Sequence, residues 1–211
     1  MKDILLIDKP KGITSFDVIR KLRRKLRIKK MGHAGTLDPL ASGLMIIGVG
    51  EGTKKLSEYI KLPKSYLAEI LVGEKRSTGD MEGEVVESIK VESLKREEIE
   101  KVLRSMIGSL ELHVPAFSAV KIGGKRLYKE ARKGNKIELP IRSMEVAGAK
   151  LIDIKRYREG IIVEVKFEVE SGVYIRSLAE EFGKRLGYPA TIKELRRTRI
   201  GDFDIKDAER L

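Results

Sequence analysis

The sequence predicts an α+β protein with a mixed, mainly antiparallel sheet flanked by helices and loops. Three observations carry this expectation. Short apolar runs are interleaved with helical patterns without the strict strand-helix alternation of a parallel sheet. Val163, Val165, Phe167 and Val169 alternate with Glu164, Lys166, Glu168 and Glu170, the mark of a strand with one buried and one wet face. Gly123-Gly124 and Arg158-Glu159-Gly160 lie between apolar runs at hairpin spacing.

The elements follow in order. Ile4 to Ile7 reads as a short buried strand, ended by the turn Lys9-Pro10-Lys11-Gly12. A helix follows, capped by Thr14 with Asp17 three residues on, and Phe16, Ile19, Leu22 and Leu26 are expected on its buried face. Leu44 to Val49 suits a strand, and the glycine-rich bend after it leads to a helix that Thr53 is expected to cap. That bend matches neither dinucleotide nor nucleotide-triphosphate glycine loops. Tyr66 to Val72 and Glu84 to Val91 read as strands, and Ile99, Val102, Leu103, Met106 and Ile107 mark a helix closed by Gly108. Phe117 to Ile122 is a strand candidate, a short helix runs from Leu127 to Gly134, and Met144 to Ile154 precedes the alternating strand. Tyr174 to Leu186 is then a helix closed by Gly187.

No repeat, low-complexity tract or linker divides the 211 residues, so one domain over residues 1–211 is expected. Lys and Arg number 44 against 32 Asp and Glu, and the net charge of +12 favours a polyanionic partner, nucleic acid before an anionic membrane. The excess is uneven. Eight bases and no acid lie between Arg20 and Lys30, as either a solvated helix face or an RNA contact, whereas Glu74 to Glu100 carries nine acids and five bases. The absence of cysteine excludes disulfides, thiolate metal sites and cysteine nucleophiles, and suits a reducing cytoplasm. The apolar run after Met1 is too short for a signal peptide or membrane span, so a cytoplasmic protein is expected.

Candidate chemistry concentrates in Gly32 to Gly43, where His33, three glycines and the pair Asp38-Pro39 crowd into twelve residues between a basic helix and an apolar strand. Asp and Pro are also ordinary turn formers, so the loop alone admits a structural role. Lys64-Ser65-Tyr66 and Gly172-Val173-Tyr174-Ile175-Arg176 each put an aromatic or a cation at an element end. An arginine in the first turn of a helix opposes the helix dipole, which points to an acidic partner.

Gly32-His33-Ala34-Gly35-Thr36-Leu37-Asp38-Pro39-Leu40-Ala41-Ser42-Gly43 resembles the catalytic motif of the TruB family of tRNA pseudouridine synthases. Five further segments resemble that family in the family's order. They are Asp8 to Gly12, Lys64 to Tyr66, Pro115 to Lys121 with its continuation Gly123 to Tyr128, Tyr174 to Arg176, and Leu195 to Arg197. Together they span nearly the whole chain.

The resemblance implies the pseudouridine synthase fold and isomerisation of uridine to pseudouridine at position 55, in the TΨC stem-loop of tRNA. The N1–C1′ bond breaks, the uracil turns, and it rejoins through C5, with no cofactor and no metal. Asp38 would be the nucleophile, attacking C1′ or C6, and Arg176 would hold its carboxylate ionised through a bidentate pair. Tyr66 would stack on the uracil and help deprotonate C5, while Tyr174 and Leu195 complete the pocket wall. His33 would fill the gap left by the flipped nucleotide. Lys9, Lys64 and the Arg20 to Lys30 cluster would meet phosphates, and His113 would be structural. A monomer without an obligatory protein partner is expected.

The chain departs from the family pattern in two places. Arg76 stands in Arg76 to Gly83, where relatives carry a threonine-rich stretch, so Asp80 is carried over only as a pocket residue. The usual C-terminal RNA-binding domain of bacterial relatives is expected to be absent. Two rival readings stand beside it: a synthase of the same fold acting on another RNA, guide-directed or not, and, in another class, a non-catalytic chaperone or binding module that uses the pocket only to grip tRNA.

Overall fold

A computed structural model describes residues 3–118, 120–132 and 138–211. In chain order the elements are β1 (Ile4–Lys9), α1 (Ser15–Leu26), β2 (Met31–His33), β3 (Ser42–Val49), a 3₁₀ turn (Gly50–Lys55), α2 (Leu56–Lys61), β4 (Lys64–Val72), β5 (Glu74–Arg76) and β6 (Val85–Ser88). Next come α3 (Arg96–Ser105), β7 (Gly108–His113), β8 (Lys121–Ile122), β9 (Lys125–Arg126), α4 (Leu127–Arg132), β10 (Ile141–Tyr157) and β11 (Gly160–Val169). The chain closes with α5 (Ile175–Leu186), β12 (Ala190–Ile200), β13 (Phe203–Asp204), a second 3₁₀ turn (Ile205–Asp207) and β14 (Glu209–Arg210).

The residues divide into two compact units. The first comprises Met1–Ala68, Lys166–Gly172 and Glu194–Leu211, and the second Glu69–Val165 and Val173–Lys193. In the first unit β3 is antiparallel to β1, with Ile7 opposite Met45, and to β2, with His33 opposite Ile47. On the side of β3 away from β1, β12 pairs with it in parallel, Arg197 opposite Gly43. Ala34, Leu44, Ile46 and Ile200 form a buried cluster against which Ile4, Leu6, Leu56, Tyr59, Leu62 and Phe203 pack. In the second unit β7 and β10 are antiparallel, Leu110 opposite Met144, and β5 and β6 form a separate two-stranded ribbon. Both units therefore mix helices with mainly antiparallel strands, as the sequence predicts.

Local chemistry accounts for the ends of the helices. Thr14 and Asp17 form a reciprocal capping box, Asp17 N–H donating to Thr14 Oγ1 at 3.1 Å and Thr14 N–H to Asp17 Oδ2 at 2.8 Å. Gly187 ends α5 in the left-handed region, where glycine carries no Cβ penalty. On β11 the four alternating apolar side chains are all buried.

Several expectations need correction. The buried face of α1 is Ser15, Val18, Ile19 and Leu22, and Phe16 is 55% exposed because it lies one helical step off that stripe. Thr53 caps no helix: its hydroxyl donates to Gly50 O within the 3₁₀ turn. Gly108 begins β7 rather than ending α3, which stops at Ser105. The strands expected over Glu84 to Val91 and Phe117 to Ile122 shrink to Val85–Ser88 and Lys121–Ile122. Ala119 and Gly134 lie outside the described residues.

Candidate active site

The loop that carries Asp38 leaves β2 and enters β3, and it is tied down at several points. Ala34 N–H donates to Ile46 O at 2.9 Å. Ser15, the first residue of α1, bonds Leu37 twice: its Oγ accepts from Leu37 N–H at 2.8 Å and donates to Leu37 O at 3.0 Å. Ala41 N–H closes a turn onto Asp38 O at 3.1 Å, and Gly12 N–H reaches Pro39 O at 2.9 Å. Ile46, Ser15 and Gly12 all belong to the first unit, so the half-buried Asp38 sits in a loop held by that unit's own backbone and side chains.

Two buried cations complete that scaffold. The Lys9 side chain is fully buried, and its ammonium donates to Ile13 O at 2.7 Å, Pro10 O at 3.0 Å and Pro39 O at 3.4 Å. Arg197, on β12 and 1% exposed, donates from Nε to Leu44 O at 2.8 Å and from Nη2 to Gly35 O at 3.2 Å. Lys9 is thus a strut of the loop and not the surface phosphate contact expected of it. Lys64 needs the same correction, since it is 7% exposed and its ammonium caps the end of α2, donating to Ile60 O at 2.8 Å and Leu62 O at 2.5 Å. Burial and the nearby Arg197 charge lower Lys64 from the ordinary 10.5 to about 8.

The remaining expected residues of the first unit take regular positions. Tyr66 lies on β4 and Leu195 on β12, both buried. His33 ends β2, half-buried, and burial first and the Arg197 charge second lower its pKa below 6.5, against a Gly35 backbone contact that raises it. Below the loop, Arg196 donates to Asp8 Oδ2 at 2.6 Å and Ser42 Oγ at 3.2 Å.

In the second unit Tyr174 is the N-cap of α5, and Arg176 is the second helical residue, 6% exposed. The structure brings Arg176 together with Asp80. Arg176 donates to Thr78 O at 2.8 Å and Phe117 O at 3.0 Å, and its guanidinium lies 3.8 Å from the buried Asp80 carboxylate. Asp80 is itself fixed by Thr78 Oγ1 at 2.6 Å and Glu82 N–H at 3.1 Å. The acidic partner that the helix position of Arg176 points to therefore includes Asp80. A cavity of about 200 Å³ opens here, lined in part by Thr78, Pro115 and Arg176. A larger one of about 450 Å³, beside Glu181 and Tyr188, holds none of the expected site residues.

Sequence reasoning missed Ser15 and Arg197. Ser15 has no signal beyond its place after the cap, and Arg197 sits in the quoted Leu195-Arg196-Arg197 segment without a role. Among the described residues no cluster of three or more His, Asp or Glu is placed to hold a metal, and no helix is long and apolar enough to cross a membrane.

A solved structure entitled "Crystal structure of pseudouridylate synthase" superposes with a TM-score of 0.51 at 16% identity, covering 99% of this chain and 67% of that one. With the site above, that likeness defines the class of fold, a pseudouridine synthase domain. A "Cbf5-Nop10-Gar1 Complex" structure matches more closely, with a TM-score of 0.76 and 27% identity over 99% of this chain, which spans about half (52%) of that one. The family model described as "TruB family pseudouridylate synthase (N terminal domain)" matches residues 23–175. Proteins named tRNA pseudouridine synthase B are 38% identical in Corynebacterium diphtheriae and 41% identical in Geobacillus thermodenitrificans. The matches cover 97% and 98% of this chain and 69% and 70% of those proteins. The chain belongs to the TruB family.

Proposed function

We propose that the protein isomerises uridine to pseudouridine at position 55 of the TΨC loop of tRNA, with Asp38 as nucleophile on a flipped-out base. The observation that carries this reading is the anchored Asp38 loop in a chain 38–41% identical to proteins named tRNA pseudouridine synthase B. Nucleophilic catalysis needs a carboxylate whose position is set before substrate arrives, and the contacts of Ser15, Lys9 and Arg197 supply that rigidity.

In this reading Asp38 attacks C1′ or C6 as the N1–C1′ bond breaks, the uracil turns within the pocket, and C5 bonds to C1′. The bond to Asp38 breaks to return its carboxylate, and the C5 proton leaves as N1 takes one up from solvent. Tyr66 supplies the stacking face and assists that proton loss, Tyr174 and Leu195 wall the pocket, and His33 fills the space left in the RNA loop. Arg176 orients the nucleophile, and Asp80 orients Arg176. No metal or cofactor takes part. The protein works as a cytoplasmic monomer on tRNA alone. Identity to the tRNA enzymes exceeds the 27% to the Cbf5-Nop10-Gar1 structure, which favours tRNA over a guide-selected RNA.

Tritium release from an unmodified tRNA transcript carrying 5-tritiated uridine tests the reading. Wild type releases tritium from one site, mapped to position 55. Asp38→Ala releases none while binding the transcript within about tenfold of wild type. Full release by Asp38→Ala removes the assigned nucleophile, and modification elsewhere removes the assigned site.

A further inference from the structure

The solvent face of α1 takes no part in the reaction proposed above, yet its composition is unusual for an idle surface. Phe16 is 55% exposed, and among the described residues it is the single large exposed hydrophobic of that helix. Its ring is flanked by two guanidiniums, Arg20 at 6.0 Å and Arg23 at 5.8 Å from the ring centroid. Both are held in place, Arg20 by an ion pair to Asp17 and Arg23 by a 3.1 Å bond to Met31 O. Lys21, Arg24, Lys25, Arg27 and Lys29 are exposed and make no ion pair among the described residues. The stripe from Phe16 to Arg27 is about 16 Å long at the helical rise per residue. It begins one residue after Ser15, which is bonded to Leu37 beside Asp38.

We propose that this face of α1 grips the RNA substrate outside the reacting nucleotide. Arg24 and Arg27, which lie on the Phe16 side of the helix, pair with successive phosphates, and Phe16 stacks on an unpaired base or ribose. The proposal rests on the tRNA reading and adds a contact surface to it. An RNA is the occupant that meets both halves of the surface. Its backbone matches the unpaired cations, and a base presents a flat π face to a ring held between two guanidiniums. An anionic membrane would need a continuous apolar stripe beside the cations, and α1 offers one ring. An acidic protein would satisfy the charges and leave the ring in water.

Binding of a fluorescein-labelled unmodified tRNA transcript, read by anisotropy across a salt series, tests this in the full chain. Phe16→Ala and Phe16→Leu are expected to weaken binding about tenfold, whereas Phe16→Tyr, which keeps the ring, stays within about twofold. The variant Arg24→Gln, Arg27→Gln is expected to lose about tenfold at physiological salt and to lower the slope of log affinity against log salt by about 1.5. The melting transition is expected to be unchanged in all of them, because these side chains are exposed. Wild-type-like binding by Phe16→Leu overturns the stacking contact. Variants that keep tRNA affinity but lose binding to phosphatidylserine vesicles overturn the RNA assignment. Tritium release by wild type in the same samples separates the two levels. Loss of binding in the variants with no release by wild type sinks the catalytic reading alone, and release by wild type with unchanged binding in every variant sinks this proposal alone.

Discussion

Arg197 and Gly35 are 162 residues apart in sequence and joined by a 3.2 Å bond from the Arg197 guanidinium to the Gly35 carbonyl. The same guanidinium holds Leu44 O at 2.8 Å, so one buried cation clamps both the start of the Asp38 loop and the strand that follows it. Its backbone adds a third tie, since Arg197 pairs with Gly43 across the parallel β3–β12 ladder.

Removing the clamp is expected to reach the chemistry before it reaches RNA binding. Arg197→Gln leaves buried carbonyls without their charged donor and is expected to cost about 3 kcal/mol of folding stability in urea titrations. Tritium release should fall about 30-fold in kcat with KM little changed, as for an interaction that matters only when the nucleophile must be in place. The chain has only two histidines, which makes an NMR titration simple. In wild type His33 titrates below 6.5, and in Arg197→Gln it should move part of the way up, because one of its two lowering causes is gone while burial persists. The folded pKa is depressed, so the unfolded chain takes up the proton first, and wild type should lose stability as pH falls below 6.5. An unchanged His33 titration in the variant would refute the coupling.

Gly43 and Gly12 make a paired test of what glycine does around the loop. Both have positive φ, +111° and +81°. A Cβ on Gly43 would sit 2.3 Å from Arg197 O, whereas one on Gly12 would meet nothing within 4 Å. Gly12→Ala should therefore cost only the backbone strain, about 1 kcal/mol, and keep activity. Gly43→Ala must also part β3 from β12, and is expected to cost about 3 kcal/mol or more and to abolish tritium release. Equal melting temperatures for the two variants would show that close approach is not what excludes a side chain at Gly43.

These residues also show where the sequence was legible. The capping box of Thr14 and Asp17, the alternation on β11 and the glycine end of α5 were readable because each depends on neighbours a few positions away. The strand β12 was not, because its apolar residues Ile192, Leu195 and Ile200 are spaced at three and five, and a buried arginine occupies one of its inward positions. Lys9 and Lys64 read as surface charges because the carbonyls that converge on them come from turns the sequence does not place. Phe16 read as core because helical spacing accommodates it in more than one apolar stripe, and packing selected the stripe of Val18, Ile19 and Leu22.

Lys64 carries a pH signature of its own. Its pKa falls from 10.5 to about 8, so between those values the unfolded chain holds a proton that the folded chain has released. Stability must then rise with pH across the window from about 8 to 10.5, the penalty for the buried charge being fully present below it. Thermal melts of wild type and Lys64→Met at pH values on either side of the window check this. Wild type should gain on the variant as pH rises, and a constant difference would show that Lys64 is not depressed.

Asp80 reports on the second unit in the same way that Arg197 reports on the first. Its carboxylate lies 3.8 Å from Arg176 and accepts from Thr78 Oγ1 and Glu82 N–H. In Asp80→Asn the carboxamide keeps an acceptor for those two donors but removes the charge facing the guanidinium. Arg176 keeps its bonds to Thr78 O and Phe117 O, so the fold should lose only about 1 kcal/mol. If Asp80 orients the arginine that in turn orients Asp38, kcat should fall about tenfold with KM unchanged, and Asp80→Glu should recover part of it. Asp80→Ala, which also orphans Thr78 and Glu82, should be worse in stability than in additional kcat loss. A rise in KM at constant kcat would instead assign Asp80 to substrate binding, and would separate a pocket wall from a residue that acts through Arg176.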